Sequence, residues 1–188
     1  MLKLFYIPKT RASRVRWMLE ELGEPYELAR IDWPHARGAE YRRNVHPLGA
    51  VPALQDEGLV VIESAAIIAY LADKFPERGF APPPQERGPY YQWIVYAMAT
   101  VEPLVSQLSK DPGSAELQAR LSEALHPMDE TLRERTFLGG DRISAADIVA
   151  GSVLNWAASL KVLGDFPSTQ AYVERLRARP AFQTARKD

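Results

Sequence analysis

The chain has 188 residues, 46% of them hydrophobic, and 23 Lys and Arg against 24 Asp and Glu leave a formal net charge of −1. That length builds a sizeable core as one large domain or two small ones, and the near-neutral balance with dispersed basic residues argues against nucleic acid or an anionic membrane as the main partner. No run of about 18 apolar residues could span a bilayer, MLKLFYIPKT lacks the length and basic lead of a signal peptide, and the absence of cysteine excludes disulfides, thiolate nucleophiles and Cys-based metal sites.

LKLFYI (2–7) is a short apolar run rich in β-formers and reads as a buried strand ending at Pro8. In TRASRVRWMLEELG, Val15, Met18, Leu19 and Leu22 recur at i, i+3, i+4 and i+7 and Gly23 stops the pattern, which predicts a one-faced helix. YELARI (26–31) reads as a second strand, and strand, helix, strand in that order predict a right-handed crossover between parallel strands. Residues 32–49 read as irregular, with a short helix around Glu40–Arg43. PALQD and LVVIE, separated by Glu57-Gly58, predict an antiparallel hairpin. A helix over 64–75 follows, with Ile67, Ile68, Leu71 and Phe75 on one face, ended by Pro76.

ERGFAPPPQERGP (77–89) reads as a linker, and beyond it no strand pattern occurs. Helices are expected over 90–109 and 114–135, bent at Pro103 and Pro127. A helix opening at Ser144 is apolar nearly all round from Ile148 to Leu163 and belongs in the middle of a bundle. Its start pairs Ser144 as N-cap with Asp147 at N3, a capping box that makes Asp147 a structural carboxylate. A last helix, STQAYVERLRA, precedes Pro180. The expected organisation is α/β then all-α: βαβ and ββα units over 1–77, a linker over 78–88, and a helical bundle over 89–188.

Chemistry concentrates in three places. In AVPAL (50–54), Pro52 stands at the start of a hairpin strand, a place for a strand start, an edge, a bulge or a cis bond. A cis Val51-Pro52 bond would turn the Val51 carbonyl and N–H outward, where an extended peptide can pair with them. About ten residues on, IESAAI turns from strand into helix. A helix N-terminus suits a carboxylate, Ser64 adds a hydroxyl donor, and Glu63 can accept from an ammonium group. Together they fit an α-amino acid head group, although Ser64 alone reads first as a helix cap. In IPKTRAS, Thr10 lies at a helix start, as a cap, as a donor to an anion held there, or as both. The histidines His35, His46 and His126 lack helical ligand spacing, so no metal is expected.

TRASRVRWMLEELGEPYEL, HPLGAVPAL, IESAAIIAYL and FLGGDRISAADI, in that order and ahead of an all-helical half, resemble the cytosolic glutathione S-transferases, bacterial members in particular, across nearly the full length. The resemblance implies a thioredoxin-like N-terminal domain, a helical C-terminal domain, a homodimer and a cytoplasmic location. It implies glutathione as cosubstrate, held by the Val51 backbone at its cysteinyl part beside a cis Pro52, with Glu63 on the γ-glutamyl ammonium and Ser64 on its carboxylate. Where relatives with a serine-type loop read SRSxRV, this chain reads TRASRV, so Thr10 falls on the residue expected to hydrogen-bond the thiol, with Ser13 as the alternative and Arg11 as a nearby cation. Relatives often carry Lys or Gln before Val51, for the glycyl end of glutathione. Here the position is Ala50, and Arg37, Arg42, Arg43 or His46 is the candidate to supply that charge instead.

The implied activity is transfer of the glutathione thiolate to a small hydrophobic electrophile. The resemblance places the electrophile between the 7–10 loop and the first helix of the second domain, where Tyr96, Met98 and Trp156 either line the pocket or belong to the bundle core. A glutathione-dependent isomerase or lyase and a non-catalytic glutathione-binding member are the alternatives, while a thioltransferase is disfavoured by the absence of cysteine.

Overall fold

The computed structural model describes residues 1–187. They divide into two compact units, residues 1–78 together with the chain from Pro180 on, and residues 79–179.

The first unit is built on β1 (Leu2–Tyr6), α1 (Ala12–Leu22), β2 (Tyr26–Arg30), α2 (Trp33–Arg37), α3 (Ala39–Asn44), β3 (Ala53–Asp56), β4 (Leu59–Ile62) and α4 (Ser64–Lys74). The sheet order is β2-β1-β3-β4, with β1 and β2 parallel and the other two pairings antiparallel. This is the thioredoxin-like arrangement that the resemblance implies. Alternation along β1 sends Leu2, Leu4 and Tyr6 into the core, the period-2 behaviour of a pleated strand. Val15, Met18, Leu19 and Leu22 of α1 and Ile67, Ile68 and Leu71 of α4 are buried, as their spacing predicts, and the two helices pack together. A smaller cluster of Ile7, Ala36 and Tyr41 gathers Phe5, Ile31, Val45 and Val51. Residues 32–49 thus carry two short helices, and Tyr41 supplies the apolar anchor for them.

One helix of this unit was not expected. α10 (Pro180–Ala185) buries Phe182 and Ala185 and packs on α1, with the Phe182 and Trp17 rings edge to face at 4.9 Å. Residues 180–185, expected in the helical bundle over 89–188, therefore belong to the first unit. Proline at the first position of a helix is favoured, because its missing N–H has no intrahelical partner there. The sequence places Pro180 after the last helix; in the structure it opens α10.

The second unit is all-helical: α5 (Arg87–Tyr96), a π-helical turn (Ala97–Val101), α6 (Glu102–Leu108), α7 (Ala115–Glu134), α8 (Ala145–Ser159) and α9 (Pro167–Arg177). The π turn falls just before Pro103, whose ring nitrogen cannot donate into the helical ladder. Pro127 lies inside an unbroken α7. α8 packs against α5, α6 and α9, the central place its all-round apolarity predicts. Its Asp147 is fully buried and accepts from the Ser144 N–H and Oγ, both at 2.8 Å. It also accepts from the Leu138 N–H at 2.9 Å and the Tyr172 hydroxyl at 2.8 Å, so one carboxylate closes the capping box and ties α8 to α9. Among the described residues no helix is long and apolar enough to cross a membrane.

Candidate active site

Sheet register brings the three chemistry-bearing segments together. Phe5 pairs with Ala53 and Ala53 with Ile62, so the end of β1, the start of β3 and the end of β4 lie side by side. Neighbouring strands are about 4.8 Å apart. The loop carrying Thr10, the Val51-Pro52 segment and the Glu63-Ser64 turn therefore occupy adjacent places at one end of the sheet.

The Val51-Pro52 peptide bond is cis. The Val51 side chain packs against the Ile7, Ala36 and Tyr41 cluster, and the Tyr41 hydroxyl donates to the Ala50 carbonyl at 3.0 Å. Burial pushes the Tyr41 phenol up to about 12, so it stays a neutral donor. Among the described residues, no turn, loop or cap hydrogen bond uses the Val51 amide or carbonyl. Just upstream, Gly49 is buried at φ +63°, where a Cβ would lie 2.7 Å from the Ala36 carbonyl oxygen and 2.9 Å from Arg42 Nε. Only glycine fits that approach, and the contact sets the exposed Arg42 beside the segment that leads to Ala50.

Glu63 is exposed and sits at φ +68°, a region that side-chain-bearing residues occupy at a cost and that clusters at functional sites. Its carbonyl accepts from the Ile67 N–H at 2.9 Å, so α4 begins directly behind it. Ser64, 3% exposed, is the first residue of that helix. His46 is nearly buried, and its Nδ1 accepts from the Leu48 N–H at 3.3 Å. Burial pulls the His46 pKa down, and the Glu63 carboxylate opposes this.

Thr10 is half-buried and acts here as a cap. Its hydroxyl accepts from the Ala12 N–H at 3.2 Å and donates to the Ile7 carbonyl at 2.7 Å. A threonine hydroxyl has a single proton, so in this state that proton is committed to the backbone. Ser13, the second residue of α1, is half-buried, and Arg11 is exposed. Tyr96, Met98 and Trp156 are half-buried in the second unit, with the Tyr96 hydroxyl donating to the Ala124 carbonyl at 2.9 Å.

Two residues of this region escaped the sequence reading. Tyr41 holds Ala50, and Arg14, 6% exposed, points its Nη1 at Ser64 Oγ from 3.5 Å. The signal for Arg14 was its spacing: it precedes Met18 by four residues and so lies on the buried face of α1.

Comparisons with known proteins agree with this arrangement. The family model for the glutathione S-transferase N-terminal domain matches residues 10–74, and that for the C-terminal domain matches residues 93–180. Glutathione S-transferase GstA of Escherichia coli O157:H7 is 30% identical over 195 residues, covering 98% of this chain and 96% of the relative. Disulfide-bond oxidoreductase YfcG of Escherichia coli K12 is 26% identical over 201 residues, 96% of this chain and 92% of the relative. A glutathione transferase crystal structure from Methylococcus capsulatus superposes with a TM-score of 0.86 at 34% identity, covering 100% and 98% of the two chains. A glutathione transferase family member from Pseudomonas fluorescens with two glutathione bound gives 0.87 at 25% identity, with 99% and 92% covered. Two matched domains spanning most of the chain and a full-length relative at this identity establish that the chain belongs to the glutathione S-transferase family.

Proposed function

We propose that this enzyme binds glutathione at the end of its N-terminal sheet and transfers the thiolate to small hydrophobic electrophiles. The observation that carries the reading is the Glu63-Ser64 pair: an exposed carboxylate held at φ +68° directly ahead of a buried hydroxyl at the start of an 11-residue helix. An ammonium group and a carboxylate on one carbon need one acceptor and one donor at that spacing. The helix N-terminus adds positive partial charge on the carboxylate side. In this proposal Val51 pairs its backbone with the cysteinyl residue, beside the cis Pro52. Arg42, seated against Gly49, takes the glycyl carboxylate in place of the side chain absent at Ala50.

Thr10 is the proposed partner of the thiol. To serve it, the hydroxyl exchanges the Ile7 carbonyl for a sulfur anion. A neutral hydrogen bond contributes about 0.5–1.5 kcal/mol and one to a charged group about 1.5–3 kcal/mol, so the exchange is favourable. The thiol proton leaves to solvent as the thiolate forms. The sulfur then bonds to the electrophilic carbon, which either expels its leaving group as an anion or, in an addition, passes its π electrons to a neighbouring atom that takes a proton from solvent. A homodimer in the cytoplasm completes the proposal.

The test is glutathione binding by calorimetry with Glu63→Ala beside the parent. The variant is expected to fold and to lose binding, and retained binding would remove this site. A chromogenic electrophile then sorts the reactions. Glutathione recovered as thioether supports transfer, glutathione recovered unchanged with altered substrate supports an isomerase or lyase, and glutathione disulfide supports the redox chemistry named for the YfcG relative. Bound glutathione with an ordinary thiol pKa and no reaction supports a non-catalytic binding member.

A further inference from the structure

We propose that Arg14 is the positioning residue for Ser64: its guanidinium takes the Ser64 oxygen as acceptor and so leaves the hydroxyl proton for the carboxylate of the bound γ-glutamyl group. The inference rests on the glutathione reading above and deepens it. Among the described residues the one hydrogen-bond partner of Ser64 Oγ is Arg14 Nη1, at 3.5 Å. The direction of that bond follows from chemistry, because a guanidinium has five donors and no acceptor while a serine hydroxyl has one proton and two lone pairs. Arg14 therefore cannot receive the Ser64 proton.

That leaves a hydroxyl proton on a residue only 3% exposed, with no acceptor among the described residues. Buried hydroxyl protons are normally satisfied. One left over at the start of α4, next to Glu63, is a donor waiting for an anion. The 3.5 Å separation is long for a hydrogen bond, and such contacts tighten when the ligand completes the set. Arg14 also brings a permanent charge. It is 6% exposed and lies 50 residues from Ser64 in sequence, so α1 carries a buried cation to the N-terminal end of α4. The helix end favours a carboxylate there.

The experiment compares glutathione with its analogue in which the γ-glutamyl α-carboxylate is an amide, measured by calorimetry on the parent, Arg14→Met, Ser64→Ala and the double variant. Arg14→Met is expected to weaken glutathione binding about 10- to 100-fold, the loss of a charge-assisted contact. It should weaken amide-analogue binding less, about 2- to 10-fold, because the amide carbonyl still accepts from Ser64 but carries no charge, and lose most of its effect in the Ser64→Ala background. Arg14→Lys, which keeps the charge without the fork, is expected to recover part of the loss. Should Arg14→Met fail to fold by circular dichroism, Arg14→Lys and Arg14→Gln carry the same comparison. Equal weakening of both ligands would make Arg14 merely structural and overturn the proposal, as would parent-like glutathione binding or an undiminished effect in the Ser64→Ala background. Absence of glutathione binding by the parent would remove the reading beneath it, and this proposal with it.

Discussion

Replacing Thr10 by alanine removes one oxygen with two separable jobs. As a cap, that oxygen accepts from Ala12 and donates to Ile7, and its loss is expected to lower stability by about 1 kcal/mol. As the proposed thiol partner it contributes the difference between a hydrogen bond to a sulfur anion and the one it gives up to the Ile7 carbonyl, about 1–1.5 kcal/mol. That difference is about one pKa unit on the bound thiol. A thiol with a pKa near ~8.5 is about 3% thiolate at pH 7, and one near ~7.5 is about a quarter thiolate. Thr10→Ala is thus expected to slow conjugation at pH 7 about eightfold at saturating glutathione, to change glutathione affinity little, and to converge on the parent rate above pH ~9.5, where both thiols are ionised. Thiolate absorbance of bound glutathione, titrated against pH on parent, Thr10→Ala and Thr10→Ser, reads the shift directly. An unchanged thiol pKa in Thr10→Ala would refute the assignment, and the same shift appearing in Ser13→Ala would transfer it to Ser13.

Other consequences follow from groups outside that loop. Glu63→Gly relieves a positive φ and is expected to raise stability by about 1 kcal/mol while abolishing glutathione binding; a fall in the urea midpoint would contradict the strain argument. Asp147→Ala strips the acceptor from the Leu138 N–H, the Ser144 N–H and Oγ and the Tyr172 hydroxyl. With two or more buried donors left unpaired, the expected loss is at least about 3 kcal/mol by chemical denaturation, and a loss under about 1 kcal/mol would mean that water replaces the carboxylate. Asp56, nearly buried, accepts from the Lys74 ammonium and, at 2.6 Å, from the Tyr70 hydroxyl, and these contacts hold its carboxyl below the usual range. A depressed folded-state pKa contributes stability above the unfolded value of about 3.9 that is lost as pH falls through the folded value. The stability gap between the parent and Asp56→Asn is therefore expected to be widest near neutrality and to close in acid, and a gap independent of pH would sink that linkage.

Local pattern carried much of the architecture. The i, i+3, i+4, i+7 spacing of Val15 to Leu22, the Glu57-Gly58 turn and the Ser144-Asp147 pair each state their own geometry, because a helix face, a two-residue turn and a cap are made by residues close in sequence. The four strands and the central place of α8 followed from such signals. Thr10, Val51, Pro52, Glu63 and Ser64 were singled out for the same reason: each lies at the end of an element, where backbone groups are left over. The short helices over 32–49 were harder to read, since α2 and α3 have five and six residues, too few for a periodic signature. Their burial depends on Tyr41 meeting Phe5, whose ring centroids are 5.5 Å apart.

By itself, then, the sequence determined the four strands and the longer helices, the faces they bury and the residues that stand at their ends, because these depend on the spacing of side chains along one element; α2 and α10 are too short to carry such a pattern. Only the tertiary structure decided what each buried face meets. The β2-β1-β3-β4 order aligned three separate loops, α10 returned to α1 through Phe182 and Trp17, and Arg14 reached Ser64 across 50 residues. It also decided the commitment of the Thr10 proton to the Ile7 carbonyl. An apolar stripe specifies that it must be covered and a hydroxyl that it must be satisfied, but the partner is chosen by distances set when all the elements pack at once.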